Sequence, residues 1–183
     1  NMSTLKVSTI SPLGTDATKT ITLGESGGTL GIASGAKTSG FGKIGQVAMN
    51  TADLNITIGS TSYAEISTDL RLTLTPNNTT SKFIYSLNGT VFTNHNNTGT
   101  FFALYKSTDG GSSFSLVDDD VGKYYNYQAL SSNSFYNYIC WFVTDAPSTT
   151  NSIIYTPYAK YSNNSTNFGN GGPVTCILRE VLP

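Results

Sequence analysis

The sequence has little charge and no long apolar run. Charged residues make up 11% of its 183 residues and the formal net charge is −1, whereas an average soluble domain carries about 25% charged residues. Nucleic-acid binding needs clustered Lys and Arg to displace counterions from phosphates, and a polybasic membrane patch needs the same clusters. No such cluster occurs, and no run approaches the ~18 apolar residues of a membrane span. We therefore expect neither nucleic-acid binding nor membrane insertion.

Cysteine and histidine are also scarce. The two cysteines, Cys140 and Cys176, are too few for a disulfide framework and lack the spacing of metal ligands. Each lies in an apolar run and the N-terminus lacks the apolar core of a signal peptide, so we expect buried free thiols in a protein that folds in a cytoplasm. The single histidine, His95, stands in a polar loop without a nucleophile motif, which favours an exposed loop residue over a catalytic base.

Carboxylates for catalysis or metal binding are few. With three Glu in the chain, a glycosidase would have to build its carboxylate pair mostly from Asp. The one concentrated charge is Asp118-Asp119-Asp120, which could offer oxygen ligands to Ca²⁺. The run lacks the alternate spacing and closing Glu of a calcium loop, so a solvated turn is favoured and a metal site is the weaker alternative. We expect a protein that is not an enzyme and needs no cofactor.

What the chain does have is aromatic residues and strand periodicity. Its 11 Tyr and 9 Phe argue against disorder, because disordered chains are poor in aromatics. Leu70, Leu72 and Leu74 alternate with polar residues, which places three leucines on one face of a strand. Further strands are predicted at 45–49, 54–58, 63–66, 83–87, 101–105, 114–117, 134–144, 152–161 and 174–182.

Turn signals separate these strands. Pro76-Asn77-Asn78 ends the leucine run, and Asn88-Gly89 and Asp109-Gly110-Gly111 are typical of tight hairpins. Many short strands divided by turns indicate an all-β fold, an antiparallel sandwich or barrel.

Residues 1–43 differ from the rest in lacking Tyr and Trp and in their frequent Gly, Ser and Thr. Short alternating runs there predict strands with few apolar side chains, namely Leu5, Val7, Ile21, Leu23, Leu30 and Ile32. Such strands are marginal alone, so we expect the segment to pair with its own copies or to dock on another protein, a flexible linker being the alternative. The predicted organisation is this segment at 1–43 and a sandwich domain at 44–183.

One aromatic patch is a candidate binding site. Tyr124, Tyr125, Asn126 and Tyr127 combine flat amphipathic rings with an amide, which suits recognition of a sugar or a protein. Packing in the core or at a subunit interface explains the same pattern equally well. For residues 135–142 packing is favoured.

Residues 70–83, LRLTLTPNNTTSKF, resemble a recurring strand, Thr-Pro turn, Ser-Lys, strand element of bacteriophage virion fibre proteins. Residues 2–10, MSTLKVSTI, resemble the opening of many fibre-like proteins from phages of marine bacteria. Residues 102–107, FALYKS, resemble the central strand of those proteins, which precedes a Gly hairpin. Residues 174–181, VTCILREV, resemble their terminal strand, which carries a Glu. The resemblance implies a trimeric, jelly-roll-like sandwich that attaches to the virion through its N-terminus and exposes loops to the host surface.

The function expected from this resemblance is that of a non-enzymatic structural protein of a phage virion. In the favoured form it is a homotrimeric tail fibre or spike, made in the host cytoplasm, whose head mediates adsorption by binding a host cell-surface glycan or protein. Its N-terminal segment would join it to another virion protein, and three weak sites on one head would act by avidity. A head or tail decoration protein with an assembly role and no receptor is the alternative, and a polysaccharide-degrading tailspike is the third and least supported possibility.

Overall fold

Strands form where apolar and polar residues alternate, because successive side chains of a strand point to opposite faces of a sheet. The structure, a computed structural model, describes residues 44–93, 95, 97–119, 126–128 and 134–183. These residues include one short 3-10 turn, Thr68–Leu70, and no helix long and apolar enough to cross a bilayer. Their strands are β1 (Ile44–Ile58), β2 (Ala64–Glu65), β3 (Leu72–Leu74), β4 (Lys82–Thr93), β5 (Thr98–Ser107), β6 (Ser115–Asp119), β7 (Asn126–Gln128), β8 (Phe135–Asp145), β9 (Ile153–Tyr161) and β10 (Thr166–Val181).

The strands pair into two antiparallel sheets. Sheet A has the order β1-β10-β4-β8, and sheet B has the order β2-β9-β5-β6, with β3 also paired to β9 and β7 to β5. The pairing is nested: β1 with β10, β2 and β3 with β9, β4 with β8, and β5 with β6 and β7. A long hairpin rolled up in this way is a jelly roll. The predicted all-β, jelly-roll-like antiparallel sandwich is confirmed.

The core lies between the inner faces of the sheets. In β4 every second residue is buried, including Tyr85 and Leu87. The ring of Phe102, from sheet B, lies 6.2 Å from that of Trp141 and 5.4 Å from that of Phe168, both from sheet A. Each fully buried side chain of this size contributes about 1.5–3 kcal/mol, so the alternating pattern is the main source of stability.

A buried carboxylate joins the two sheets at one end. Glu180, near the end of β10, is fully buried. Its Oε1 accepts a hydrogen bond from the backbone N–H of Asn77 at 2.6 Å, and its Oε2 accepts from Gln46 Nε2 at 2.9 Å and from Asn77 Nδ2 at 2.5 Å. Asn77 belongs to the turn after β3 of sheet B, whereas Gln46 lies in β1 of sheet A. The charge is therefore solvated by donors from both sheets.

A second polar cluster joins the sheets through Asp145 of β8. Lys106 Nζ donates to Asp145 Oδ2 at 2.8 Å, and the Tyr155 hydroxyl donates to the same oxygen at 2.7 Å. Burial, and then the bond to Asp145, raise the pKa of Tyr155 far above its ordinary value. Lys106 and Tyr155 belong to sheet B and Asp145 to sheet A, so this cluster also ties one sheet to the other.

The Asn88-Gly89 hairpin prediction is wrong. Both residues lie inside the continuous strand β4. A Cβ at Gly89 would come within 2.9 Å of Cζ of Phe168, so this glycine makes room for a core ring instead of forming a turn. The Asp109-Gly110-Gly111 turn, in contrast, connects β5 to β6 with φ of 72° and 90° at the two glycines.

The strands predicted separately at 45–49 and 54–58 form the single strand β1. Residues 50–53, between the two apolar runs, pair in regular register with residues 173–176 of β10, and the register shifts only between Ile44 and Val47 and between Leu54 and Ile56. The polar residues between the runs therefore continue the strand and do not form a turn.

The prediction that both cysteines are buried is wrong for Cys140. Cys176 is buried and Cys140 is exposed, and both are free thiols. In β8 the neighbouring Trp141 faces the core, so strand alternation turns Cys140 outward. The residues predicted to pair in the segment 1–43 lie outside the described residues, and the division at residue 43 stays a prediction.

Candidate recognition surface

The structure describes part of the two sites predicted from the sequence. Tyr124 and Tyr125 lie outside the described residues. Asn126 and Tyr127 belong to β7, whose backbone pairs with β5 at Thr100 and Gly99. Asn126 and Tyr127 therefore lie at the edge of sheet B, and the role of residues 124–127 in binding stays a prediction.

The acidic run lies at the same edge. Asp118 is exposed and pairs across the strands with Leu104, and Asp119 ends β6. Asp120 lies outside the described residues. In the part of the chain that the structure describes, no three His, Cys, Asp or Glu side chains are grouped as a metal site would require. The run thus begins inside a strand rather than in the turn predicted for it.

The outer face of sheet B carries a group of aromatic side chains that we call the aromatic face. It consists of Tyr63, Phe101, Tyr105, Phe114 and Tyr158, together with Arg71 and Lys160. Strand alternation explains part of it: in β5, Phe102 and Leu104 point into the core, so Phe101 and Tyr105 point outward. Pairing of Phe101 with Lys160 and of Ala103 with Tyr158 brings the outward residues of β9 beside them.

The rings of the aromatic face pack on one another. Tyr105 and Tyr158 are stacked, with centroids 4.0 Å apart and planes 26° apart. Tyr63 extends the cluster on one side, 6.4 Å from Tyr105, and Phe114 on the other, 6.3 Å from Tyr158. All four rings are partly exposed, and contacts at these distances are typical of favourable aromatic pairs. They form one continuous, half-buried aromatic surface.

A cation lies at each end of this surface. Lys160 Nζ is 4.3 Å from the ring centroid of Tyr63 and 5.5 Å from that of Phe101. At the opposite end the guanidinium of Arg71 lies 4.9 Å from the ring centroid of Phe114. These distances allow cation–π attraction, so both positive groups are held over rings.

An acidic partner fixes Arg71. Its Nε and Nη2 donate to the two carboxylate oxygens of Glu65 at 2.7 and 2.8 Å, and Thr156 Oγ1 donates to Glu65 Oε1 at 2.7 Å. The hydrogen bonds from Arg71 hold the pKa of Glu65 below its ordinary value although burial opposes this, and the same bonds raise the pKa of Arg71. Burial first, and then the Glu65 charge, raise the pKa of the neighbouring Tyr158. At this end of the aromatic face, Arg71 is therefore held by both oxygens of one carboxylate.

Two recesses among the described residues are small. One of about 50 Å³ is lined in part by Ile58, Glu65 and Ala159. Another of about 110 Å³ lies beside His95, which is exposed and whose backbone N–H donates to Thr93 Oγ1 at 3.2 Å. Pockets for small molecules measure about 300–1,000 Å³. Recesses of this size do not suit an enclosed ligand. The flat aromatic face suits an extended ligand better.

The comparisons with known proteins identify no family. No family model matches the sequence, and no curated protein matches it. Solved structures of infectious bursal disease virus are similar in fold. The VP2 subviral particle gives a TM-score of 0.38 with 14% identity over 75% of this chain and 38% of that one, and the T13 viral particle a TM-score of 0.38 with 13% identity over 85% and 40%. This chain thus spans about two fifths of the length of those chains, and we take no functional argument from similarity at this level.

Sequence reasoning missed the aromatic face. Tyr105 and Tyr158 were placed on predicted strands, but those strands lie about fifty residues apart and their pairing cannot be deduced from one sequence. The sequence did show aromatic residues at outward positions of both strands. Only the fold shows that the two strands are neighbours and that these residues form one surface.

Proposed function

We propose that the chain is a non-enzymatic structural protein of a phage virion, a homotrimeric tail fibre or spike whose sandwich head binds a glycan on the host surface. Three features support the proposal. Four short segments of the sequence resemble elements of virion fibre proteins, the jelly roll is an architecture of viral capsid and lectin domains, and the aromatic face offers a surface suited to sugars. Residues 1–43 would attach the head to another virion protein.

The aromatic face is the observation that carries the binding role. Flat rings such as Tyr105 and Tyr158 cover the apolar faces of sugar rings, and tyrosine hydroxyls supply hydrogen bonds. Lys160, over Tyr63 and Phe101, adds a positive charge that attracts acidic sugars. Each site would bind weakly, and three sites on one head would act together.

Three carboxylates of the described residues are already engaged by the fold, which fits the proposal of a protein that is not an enzyme. Glu65 accepts bonds from Arg71 and Thr156, while Glu180 and Asp145 accept bonds from donors that join the sheets. A glycosidase needs one protonated and one ionised carboxyl group on either side of the substrate. These three carboxylates instead serve the fold.

A glycan array and a panel of intact marine bacteria test the proposal. We expect the fluorescently labelled full chain to bind acidic glycans and cells, and Lys160→Glu to reduce binding at least about tenfold because it reverses the local charge. Thr150→Glu, which adds a negative charge at an exposed position of the loop between β8 and β9, is the control and should bind normally. Equal binding by the two variants would contradict the role of the aromatic face.

A decoration protein with an assembly role and no receptor is the second candidate. Exposed apolar side chains on the outer face of sheet A favour it, because such side chains suit contacts between proteins. A chain that ignores every cell type and glycan, yet occupies many positions per particle, would support this alternative. Release of reducing ends from surface polysaccharide would instead support a tailspike enzyme.

A further inference from the structure

The outer face of sheet A carries large apolar side chains that the fold leaves uncovered, and we call it the apolar face. Its most exposed members lie on the edge strands: Val47 and Met49 on β1 are 56% and 63% exposed, and Tyr136, Tyr138 and Phe142 on β8 are 59%, 67% and 70% exposed. The partly exposed side chains between and beside them on the same sheet are Ile84, Phe92, Ile177 and Val181. Ile44, which pairs with Val181, is exposed as well.

The register shows that this face is continuous. Met49 pairs with Ile177, Ile177 with Ser86, and Ser86 with Phe142, so one row of outward side chains crosses all four strands. Tyr136 lies beside Phe92, with ring centroids 4.7 Å apart. The exposed residues therefore form a single patch and not scattered surface positions.

The area of the patch matches that of a protein interface. If a large side chain offers about 150–250 Å² when fully exposed, then the six exposed side chains together present roughly 600 Å² or more. The largest apolar patch on a typical monomer measures about 300–600 Å², and a stable interface buries about 800 Å² on each partner. The half-exposed residues between the edge strands bring the apolar face to about that size.

Charge on this face suits a second copy of the same chain. Lys82 and Arg179 lie at one end of the sheet, and Asp53 lies on β1 toward the other end. A copy placed against this face in the opposite direction would bring acidic and basic ends together. The middle of the face carries Thr, Ser and apolar side chains, which bring no like charges into contact.

From the area and the charges we infer that the apolar face is the surface through which copies of this chain self-associate. The inference goes beyond the proposed function: a face that meets its own copy in the opposite direction forms a two-fold contact, so it joins two copies and is separate from the contacts of the proposed trimer. The aromatic face, on sheet B, is thereby left free to meet a ligand.

Cys140 provides a reporter inside the proposed interface. It lies on β8 opposite Asn88, on the same outward side as Tyr138 and Phe142, and it is exposed. The other cysteine, Cys176, is buried in the core. A thiol reagent added to the native protein therefore reports on Cys140 alone.

The experiment combines sedimentation velocity with the rate of reaction of Cys140 with a thiol reagent, on the full chain over about 1–100 µM. We expect the oligomer to protect Cys140 at high concentration. Dilution to monomers should raise the rate at least about tenfold, since apolar interface cores exclude solvent. The reaction of Cys176 should follow global unfolding only.

Matched variants locate the surface. Phe142→Glu places a charge in the middle of the apolar face, and Leu116→Glu makes the same change at a 46% exposed position on β6 of sheet B. We expect Phe142→Glu to weaken self-association at least about tenfold and Leu116→Glu to leave it unchanged. Both side chains are exposed, so circular dichroism and melting temperature should stay close to those of the unmodified chain, and Phe142→Ser serves as a milder second variant.

Three results would overturn the inference. The first is a monomer whose Cys140 is protected at every concentration, which would mean that residues 1–43 cover the face within one chain. The second is a monomer whose Cys140 reacts rapidly throughout. The third is an oligomer that withstands Phe142→Glu and Phe142→Ser and leaves Cys140 reactive. None of these results affects the comparison of Lys160→Glu with Thr150→Glu, so the glycan-binding proposal can fail separately.

Discussion

The two outer faces of the sandwich use the same residue types in opposite ways. On the aromatic face the rings stack on each other and on cations, as Tyr105 and Tyr158 do at 4.0 Å, and all are half-buried. On the apolar face Tyr138 and Phe142 stand 67% and 70% exposed. The difference shows that the availability of a surface aromatic ring for contact with another molecule depends on which side chains already cover it.

Cross-strand partners explain the difference. Phe142 lies opposite Ser86 and Tyr138 lies opposite Thr90, and neither small partner can cover a ring. On sheet B the outward Tyr158 lies opposite Ala103, and the gap over the alanine is filled by the neighbouring Tyr105 ring. Packing with adjacent side chains is the unit of sheet stabilisation, so the same strand pattern gives a self-packed face in one sheet and an uncovered face in the other.

Among the substitutions considered, we expect the largest loss of stability in the interior between the two faces, at Glu180. Glu180→Ala should lower the free energy of unfolding by about 3 kcal/mol, because three donors lose a charged acceptor in a buried site. Urea unfolding measures this. Glu180→Gln, which keeps an acceptor, should lose less, and equal losses in the two variants would show that the charge is unimportant.

The comparison of the faces is tested most directly by paired truncations. Tyr158→Ala removes a ring in contact with two others and should cost about 2 kcal/mol. Phe142→Ala in the dissociated chain should cost less than about 0.5 kcal/mol, since it is a surface change. Thermal or urea unfolding at a concentration that favours monomers distinguishes them. Similar losses of unfolding free energy for the two variants would show that the two faces do not differ in how well their rings are packed.

Acid should weaken the Arg71 end of the aromatic face. The pKa of Glu65 is lowered from 4.5, mainly by the hydrogen bonds of Arg71. Its contribution to stability is therefore fully present above the unfolded pKa and is lost as the pH falls through the lower, folded pKa. Because the pair is partly exposed, we expect a loss of less than about 1 kcal/mol. Unfolding curves between neutral pH and acid should show a smaller decrease for Glu65→Gln, and an identical decrease would contradict the assignment.

The smallest effect on stability is expected at Lys160. Lys160→Gln removes a cation held over two rings and should cost about 0.5 kcal/mol, while binding to acidic glycans decreases several-fold. Lys160→Arg, which keeps the cation, is the control and should bind normally. Unchanged binding by Lys160→Gln would show that the rings, and not the charge, determine recognition.

Much of the fold could be predicted from local pattern. Alternation correctly placed Leu72 in the core on β3, whereas the strand predicted to include Leu70 is wrong there, because Leu70 is buried at the end of a 3-10 turn. The Asp109-Gly110-Gly111 turn followed from glycines at positive φ. Asn88-Gly89 failed because the need for space beside Phe168 comes from another strand. The candidate site at residues 124–127 stays a prediction, whereas the aromatic face could not be predicted, because it joins residues from five separate segments.

By itself the sequence determined the all-β class, the strand content and the low charge, because these depend on residue type and on a period of two along the chain. It also determined which side chains share a face within one strand. Only the tertiary structure decided which strands became neighbours, and with them whether a ring would meet another ring, as at Tyr105, or a serine, as at Phe142. The physical reason is that strand pairing joins residues far apart in the chain, and the exposure of a side chain depends on the residue that lies opposite it.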